Sequence, residues 1–201
     1  MVVNSVSNYP ASPVYIVADE FVLRSITPSD MNQKFLDTLS NPQMLTGLNL
    51  SSFPFDINSL KDFAAQFDNL HHYFIGIFIK ETKELIGFYT IDVSFPHLVG
   101  LLTGGIGEGA YEGKDVFWKT IDPLIDYFYD QGRIFKFTSR VIAHNYRMIF
   151  NFKNSTRFKL EAVLEKECVT PTGERRDVLL FSSLCDDGRR PADLSKIHAT
   201  S

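Results

Sequence analysis

Glycines and a carboxylate come together in one stretch of the sequence, from Gly104 to Gly113. Glu108 lies within it, at the end of a predicted strand, where a carboxylate can act as a general base; a solvated strand-end glutamate is the plainer interpretation. The stretch leads into a predicted helix near residues 115–131, and the unpaired N–H groups of a helix N-terminus suit phosphate groups. The same glycines also fit a bulge at a sheet edge. Both a ligand-binding loop and an irregular strand end are compatible with this pattern.

A second group of polar residues, His144-Asn145, lies between a predicted strand and a predicted helix. Asparagine suits the N-cap of a helix because its side chain accepts a bond from a backbone N–H group. His144, and Asp92 further back, are weaker candidates for a general base, since a lone histidine beside a strand end is more often a structural residue. The five His and two Cys residues show no spacing typical of metal ligands.

Hydrophobic patterns predict the elements that must position these residues, in the order β-α-α-β-β-β-α-β-α-β-β. The predicted strands span residues 21–26, 73–80, 85–94, 98–106, 133–143, 160–169 and 177–184. Helices are predicted after residues 27–30, from Asn58, over 115–131 and over 145–154. Residues 46–56 are predicted to be a loop. Short polar turns between consecutive strands favour an antiparallel meander.

The composition is that of an ordinary globular domain, with 44% hydrophobic and 22% charged residues in 201. We place this domain at residues 14–185, between an N-terminal tail, 1–13, and a C-terminal tail, 186–201. A net charge of -4 disfavours nucleic-acid binding, and no apolar run is long enough to span a membrane. The chain starts without the features of a signal peptide, so we expect a cytoplasmic protein.

Several local segments carry a resemblance to a known family. They are Phe21-Val22-Leu23-Arg24 with Thr27-Pro28-Ser29-Asp30, Leu85-Ile86-Gly87-Phe88, Glu112-Gly113-Lys114-Asp115, Asn145 with Met148 and Phe158, and Thr172-Gly173-Glu174-Arg175-Arg176-Asp177. In order and spacing they resemble the GNAT superfamily of N-acetyltransferases, and more narrowly the branch of the ribosomal-protein alanine acetyltransferases. The resemblance implies a single α+β domain with a mixed, mostly antiparallel twisted sheet of about seven strands and about four flanking helices.

The resemblance also implies that acetyl-coenzyme A is the co-substrate, with its pyrophosphate at the start of the helix near residues 115–131. In the matching loop, Gly113 keeps the first glycine of the family pattern and Lys114 follows it, whereas the carboxylates of Glu112 and Asp115 would repel the pyrophosphate. A decayed, structural loop is therefore the alternative. The residues expected to bind the coenzyme are Ile106, Gly107, Gly113, Lys114, Asp115, Val116, Asn145 and Met148.

In the family the pantetheine arm of the coenzyme enters a gap between two neighbouring strands. The resemblance predicts that gap between the strand ending near Ile106 and the strand ending near Ala143. A longer coenzyme loop, formed by Gly107, Gly109 and Gly113, is a second way to read the glycines. Glycine permits the close backbone approach that either arrangement requires.

Acetyl transfer to an amine needs a base for the amine proton, donors for the oxyanion and an acid for the departing thiolate. The resemblance places Glu108 in the cleft as the leading candidate for the base. Many relatives carry a tyrosine acid seven residues after the asparagine that matches Asn145, and this position is Phe152 here. Phenylalanine cannot donate a proton. Tyr146 and Tyr129 are candidate substitutes, although packing roles are the plainer interpretation.

Three hypotheses follow for the function. The first is an N-acetyltransferase acting on the primary amine of a small molecule or a peptide N-terminus. Its acceptor pocket would be lined by Phe53, Phe55 and Tyr73. Since dimers are common in the family, a homodimer is one expectation. The second is a catalytically weak or inactive GNAT domain that binds acyl-coenzyme A as a sensor, which Asp115 and Phe152 favour. The third is an unrelated α+β interaction protein.

Overall fold

The computed structural model describes residues 9–107 and 115–185, which form one eight-stranded sheet with helices on both faces. The strands are β1 (Tyr15–Ala18), β2 (Phe21–Ser25), β3 (His72–Ile79), β4 (Leu85–Ser94), β5 (Val99–Ile106), β6 (Lys136–Ile142), β7 (Lys159–Val169) and β8 (Arg175–Leu184). The α-helices are α1 (Gln33–Leu39), α2 (Pro42–Leu48), α3 (Ile57–Ala64), α4 (Val116–Asp130) and α5 (Tyr146–Lys153), and a 3-10 turn spans Pro28–Asp30. In the described residues no helix is long and apolar enough to cross a membrane.

The strands lie in the order β1-β2-β3-β4-β5-β6-β8-β7. Neighbours are antiparallel except β5 and β6, which are parallel. Parallel strands need a long crossover, and α4 lies within the segment that connects β5 to β6. The predicted α+β fold with a mixed, mostly antiparallel sheet is confirmed, with one strand and one helix more than the approximate numbers predicted.

The two additional elements are β1 and α2. β1 is a four-residue edge strand that pairs only with β2 among the described strands. The predicted loop over residues 46–56 is wrong at its start, because α2 extends into it. Asn41 caps this helix, Pro42 occupies its first turn and Asn49 ends it in the left-handed conformation. Gly47 inside the helix is a poor helix former, and it conceals the pattern.

Two predicted boundaries also move. The predicted cap Asn58 is wrong, because the side chain of Asp56 accepts hydrogen bonds from the N–H and the hydroxyl of Ser59 at 2.8 and 2.7 Å. The strand predicted over residues 133–143 begins only at Lys136. Capping contacts decide where α3 begins, and they are weak signals in a sequence.

Two hydrophobic layers hold the helices against the sheet. Side chains of β3 alternate between them: Tyr73, Ile75 and Ile77 face the layer under α4 and α5, whereas Phe74 and Phe78 face the layer under α1, α2 and α3. Residues 9–13, part of the predicted N-terminal tail, carry no helix or strand but contact the domain; Ser12 N–H, for example, donates to Asn69 O at 2.9 Å.

A partly buried ion pair joins β2 to the 3-10 turn that precedes α1. Arg24 donates two hydrogen bonds to the Asp30 carboxylate, at 2.8 and 2.5 Å. The N–H and the hydroxyl of Thr27 each donate to the same carboxylate at 2.8 Å, and the guanidinium lies 3.9 Å from the Phe78 ring centroid. Burial alone would raise the pKa of Asp30, but the bonds from Arg24 and Thr27 outweigh it and lower that pKa below its ordinary value.

We expect the Asp30→Asn variant to lower the free energy of unfolding near pH 7 by about 2 kcal/mol, because it removes charge-assisted hydrogen bonds. Since the folded-state pKa of Asp30 is depressed, its contribution is present above about pH 4 and is lost as the pH falls through the folded-state value. Urea unfolding at several pH values measures this difference.

The matched control is Glu174→Gln, which breaks the exposed ion pair with Arg176. Its effect should stay below about 1 kcal/mol. If the difference in the free energy of unfolding between the wild type and Asp30→Asn does not become smaller at acidic pH, the role given to the carboxylate is contradicted.

Candidate functional site

The parallel strands β5 and β6 separate within the sheet. Their described pairing ends at Leu101 and Thr138, whereas β5 continues to Ile106 and β6 to Ile142. Beyond the last pair a V-shaped gap opens between the strands. The predicted splay of these two strands is therefore confirmed.

The edge of β5 presents backbone groups to this gap. β5 pairs regularly with β4, and the N–H of Gly107 donates to Ile86 O at 2.8 Å. In an antiparallel ladder the backbone groups of alternate residues point to opposite sides, so the N–H and C=O groups of Gly104 and Ile106 point away from β4 and towards the gap. An extended ligand chain can pair with this edge as an added strand does.

Two adjoining cavities occupy the gap and its mouth. The larger, of ≈ 370 Å³, lies at the mouth, between α2, the end of β5 and the start of α5. The smaller, of ≈ 40 Å³, lies between β5 and β6. Residues that line both are Gly47, Leu48, Gly104, Asn145 and Met148. A ligand bound at the mouth can thus extend into the gap.

Four predicted coenzyme-binding residues line the larger cavity: Ile106, Gly107, Asn145 and Met148. The predicted ligand residues Gly113 and Lys114 and the predicted base Glu108 lie outside the described residues. The roles of all seven stay predictions, but the structure brings the four described ones to a single cavity although they come from distant parts of the chain.

The other two predicted coenzyme residues, Asp115 and Val116, form the start of α4 and do not line either cavity. Asp115 has φ 53°, and its side chain makes no capping hydrogen bond to the helix. The Val116 side chain is buried in the core, which leaves only its backbone N–H for a ligand. Because Asp115 does not cap the first N–H groups of this 15-residue helix, they remain suited to an anion.

Asn145 connects the corner between β6 and α5 to α2. Its side-chain oxygen accepts a hydrogen bond from Met148 N–H at 3.1 Å, which confirms the predicted N-cap. Its Nδ2 donates to Gly47 O at 3.3 Å, and His144 Nε2 lies 3.2 Å from Thr46 O. These two contacts hold the end of α2 over the mouth of the gap.

Two of the predicted catalytic candidates line the larger cavity. His144 does so beside Thr46, and Tyr146, the candidate acid, is 77% exposed at the first turn of α5. Asp92 lies elsewhere on β4, where its carboxylate is 2.7 Å from His72 Nδ1, and it lines neither cavity. The structure describes no group of three or more His, Cys, Asp and Glu residues that could hold a metal ion.

The aromatic residues predicted to line the acceptor pocket do not reach it. Phe53 and Phe55 pack against each other, with ring centroids 5.4 Å apart, in the layer under α1, α2 and α3. Tyr73 is buried in the other layer, and its hydroxyl accepts a hydrogen bond from Arg133 at 2.8 Å. None of the three lines either cavity; Tyr73 is a core residue, whereas Phe53 and Phe55 are half-buried against the core.

Phe152, at the position of the family acid, is a buried wall of the smaller cavity. Its ring centroid lies 5.3 Å from that of Phe117, 4.7 Å from that of Phe158 and 5.2 Å from that of Phe181. Both Phe152 and Phe117 line the smaller cavity, whose wall also includes the polar residues Arg140 and Asn145.

The sequence did not predict that α2 forms part of the site, because the end of this helix falls within the loop predicted over residues 46–56. Met44 packs against β5 at Gly105, where an added Cβ would lie 2.6 Å from the Met44 sulfur. Gly47 makes a similar close contact, since its Cβ would lie 3.1 Å from Asn145 Nδ2. The Asn41-Pro42 pair was the available signal, as a cap followed by proline is typical of a helix start.

Comparison with known proteins identifies the fold. No protein-family model matches the chain, and no curated protein matches it. Among solved structures, ribosomal-protein-S5-alanine acetyltransferase from Vibrio fischeri is 18% identical, with a TM-score of 0.74 over 88% of this chain and 100% of that one. The microcin C7 self-immunity acetyltransferase, solved with acetyl-CoA and AMP, is 19% identical, with a TM-score of 0.72 over 83% and 93%. Spermidine N-acetyltransferase from Vibrio cholerae, solved with CoA and spermine, is 16% identical, with a TM-score of 0.71 over 82% and 95%.

This chain therefore has the fold of the GNAT acetyltransferases, as the resemblance predicted. The third hypothesis, an unrelated α+β interaction protein, assumed a different fold, and this likeness contradicts that assumption. One of the similar proteins is named for an alanine of a ribosomal protein and another for spermidine, so the fold alone does not determine the acceptor.

We expect Asn145→Ala to lower the free energy of unfolding by about 1 kcal/mol, because it removes the cap of α5. The matched variant Asn145→Asp keeps a side-chain oxygen for Met148 N–H and should retain most of that stability, although it loses the donor to Gly47 O. Urea unfolding of the three proteins measures the difference. Equal stabilities for wild type and Asn145→Ala would contradict the capping role.

Proposed function

We propose that this protein is an N-acetyltransferase that transfers an acetyl group from acetyl-coenzyme A to the primary amine of a small molecule or of a peptide N-terminus. The observation that carries the proposal is the gap between β5 and β6, where the backbone groups of Gly104 and Ile106 face a cavity. Proteins of the same fold have been solved with CoA or acetyl-CoA bound, which supports the same co-substrate here.

The residues around the gap fit the parts of the coenzyme. The start of α4, which the Asp115 side chain does not cap, suits a pyrophosphate, because helix N–H groups and the helix dipole attract anions. The edge of β5 offers N–H and C=O groups to the two amides of the pantetheine arm. Met148 lines both cavities and supplies apolar contact along this path.

The transfer requires a base at the mouth of the gap. The amine nitrogen bonds to the thioester carbonyl carbon, the carbon–sulfur bond breaks, and the proton of the amine passes to the base while the thiolate leaves. Glu108 is the leading candidate, as it directly follows Gly107, which lines the larger cavity. His144, which lies within the described residues, is the alternative. Its Nε2 is within hydrogen-bond distance of the Thr46 carbonyl oxygen, and only a nitrogen that carries a hydrogen can donate to that oxygen. The other ring nitrogen, Nδ1, can then accept the proton of the amine. Tyr146 is the candidate acid.

A weak or inactive domain that binds acyl-coenzyme A as a sensor is the second candidate. The observation that favours it is the burial of Phe152 at the position of the family acid. Without a proton donor there, the thiolate must leave unassisted or with help from another group. The two candidates share the coenzyme site, so binding and turnover have to be measured separately.

We expect acetyl-coenzyme A to bind the wild-type protein in a calorimetric titration, and Met148→Trp to weaken this binding at least about tenfold, because the larger side chain fills the passage between the cavities. The control is Phe150→Trp on the exposed side of α5, away from both cavities, which should leave the dissociation constant within about twofold. Absence of binding by the folded wild type would overturn the proposed function.

The base can be identified by comparing Glu108→Gln with His144→Gln in a thiol-release assay with a panel of amines. Loss of the base should lower kcat/KM by about 100-fold or more, with a smaller effect at high pH, where more of the amine is already neutral. We expect the large loss for Glu108→Gln and a small one for His144→Gln. No turnover of any amine, together with intact coenzyme binding, would support the sensor instead.

A further inference from the structure

The Arg140 side chain lies on the opposite face of the sheet from α4 and α5. Its neighbour Val141 is buried in the layer under those helices, and successive side chains of a strand point to opposite faces. Arg140 therefore points to the other face, where 45% of its side chain is exposed. Thr103 on β5 is also exposed and points to this face, since its neighbour Leu102 is buried under α4 and α5. Arg140 and Thr103 both line the smaller cavity, which thus opens to solvent between them.

The described lining of the two cavities is positively charged, although the whole protein has a net charge of -4. Among the described residues that line the smaller cavity, Arg140 is the only Lys, Arg, Asp or Glu. Arg147 is the only one among those that line the larger cavity. No carboxylate of the described chain therefore balances these two charges at the cavity walls. Such a lining attracts an acidic group of a ligand and repels further positive charge.

The Arg140 guanidinium has donors left for a ligand. Its Nη2 donates to Glu167 Oε1 on β7 at 2.8 Å, and within residues 9–107 and 115–185 its other N–H groups make no hydrogen bond. A guanidinium carries five N–H donors, and a pair of them binds a carboxylate in a fork. Since an exposed ion pair contributes little to stability, Glu167 can share Arg140 with the acidic group of a ligand.

An acceptor that enters beside Arg140 can reach the reacting groups. Gly47, Asn145 and Met148 are among the residues that line both cavities, and the candidate base His144 lines the larger one. The amine can therefore lie in the passage between the cavities while the rest of the molecule extends back to Arg140. A carboxylate a few bonds from the amine would meet the guanidinium there. The second ammonium group of a polyamine would meet a like charge at the same place, which is unfavourable.

We propose that Arg140 selects the acetyl acceptor, and that this acceptor is a primary amine with a carboxylate a few bonds away, as in an amino acid, and not a polyamine. The guanidinium binds the carboxylate and leaves the amine free to react in the passage between the cavities. This inference rests on the proposed transferase activity, and it narrows the chemical class of the acceptor.

The test compares unbranched amino acids, from glycine to aminohexanoate, with their amides in the thiol-release assay, because each amide lacks the negative charge. The wild type should turn over at least one of the acids with a higher kcat/KM than spermidine. Arg140→Gln should lower kcat/KM for that acid about tenfold or more, because a charge-assisted pair is lost. Its kcat/KM for the matching amide should stay within about twofold of the wild-type value.

The matched control is Lys136→Gln. Lys136 lies on the same strand and the same face as Arg140, and its Nζ donates to Glu161 at 2.6 Å, yet it lines neither cavity. This variant should leave kcat/KM for the acid and for the amide within about twofold of wild type. A second variant, Glu167→Gln, keeps Arg140 and removes the carboxylate that competes for it, so it should not lower kcat/KM for the acid.

Equal losses for the acid and the amide in Arg140→Gln, or no loss for either, would overturn the role of Arg140. A wild type that turns over spermidine or the amides but none of the acids would overturn the proposed class of acceptor. Both results leave the transferase activity standing. If the folded wild type binds acetyl-coenzyme A but turns over no amine at all, the proposed transfer reaction fails and this inference fails with it.

Discussion

The early end of pairing between β5 and β6 is the constraint on which the rest of the site depends. Each strand keeps its other partner: β5 pairs with β4 up to Ile106, and β6 pairs with β8 up to Ile142. The two strands therefore diverge without losing those ladders. Hydrogen-bonding groups of β5 beyond Leu101 then face a gap, and backbone groups of this kind bind an extended ligand much as they would bind a strand.

Helix α2 turns this open gap into a bounded cavity. It contacts β5 through Met44 at Gly105, and it contacts the corner between β6 and α5 through the bonds of Asn145 and His144. Asn49 at its end also donates to Val169 O on β7 at 2.9 Å. A short helix thus bridges both halves of the sheet at the point where they separate. Its position determines how wide the mouth of the cavity is.

The aromatic residues of α4 and α5 give the inner end of the gap its chemistry. Phe117 and Phe152 pack edge to face and form the aromatic part of its wall. Phe152 itself has no proton to give to a departing thiolate. This combination accounts for both functional candidates, since they differ in turnover and not in the coenzyme site.

Local patterns in the sequence were sufficient for the central strands and for α4, because alternation of side chains and helix periodicity depend on neighbours in the chain. The resemblance added the gap and the four cavity residues Ile106, Gly107, Asn145 and Met148. Only the tertiary structure revealed α2, whose helix pattern is weakened by Gly47, and placed Phe53, Phe55 and Tyr73 in the core. It also showed that Phe152 lines the smaller cavity. Those properties depend on contacts between residues far apart in the chain, and a single sequence does not specify which of its many inward-facing residues will meet.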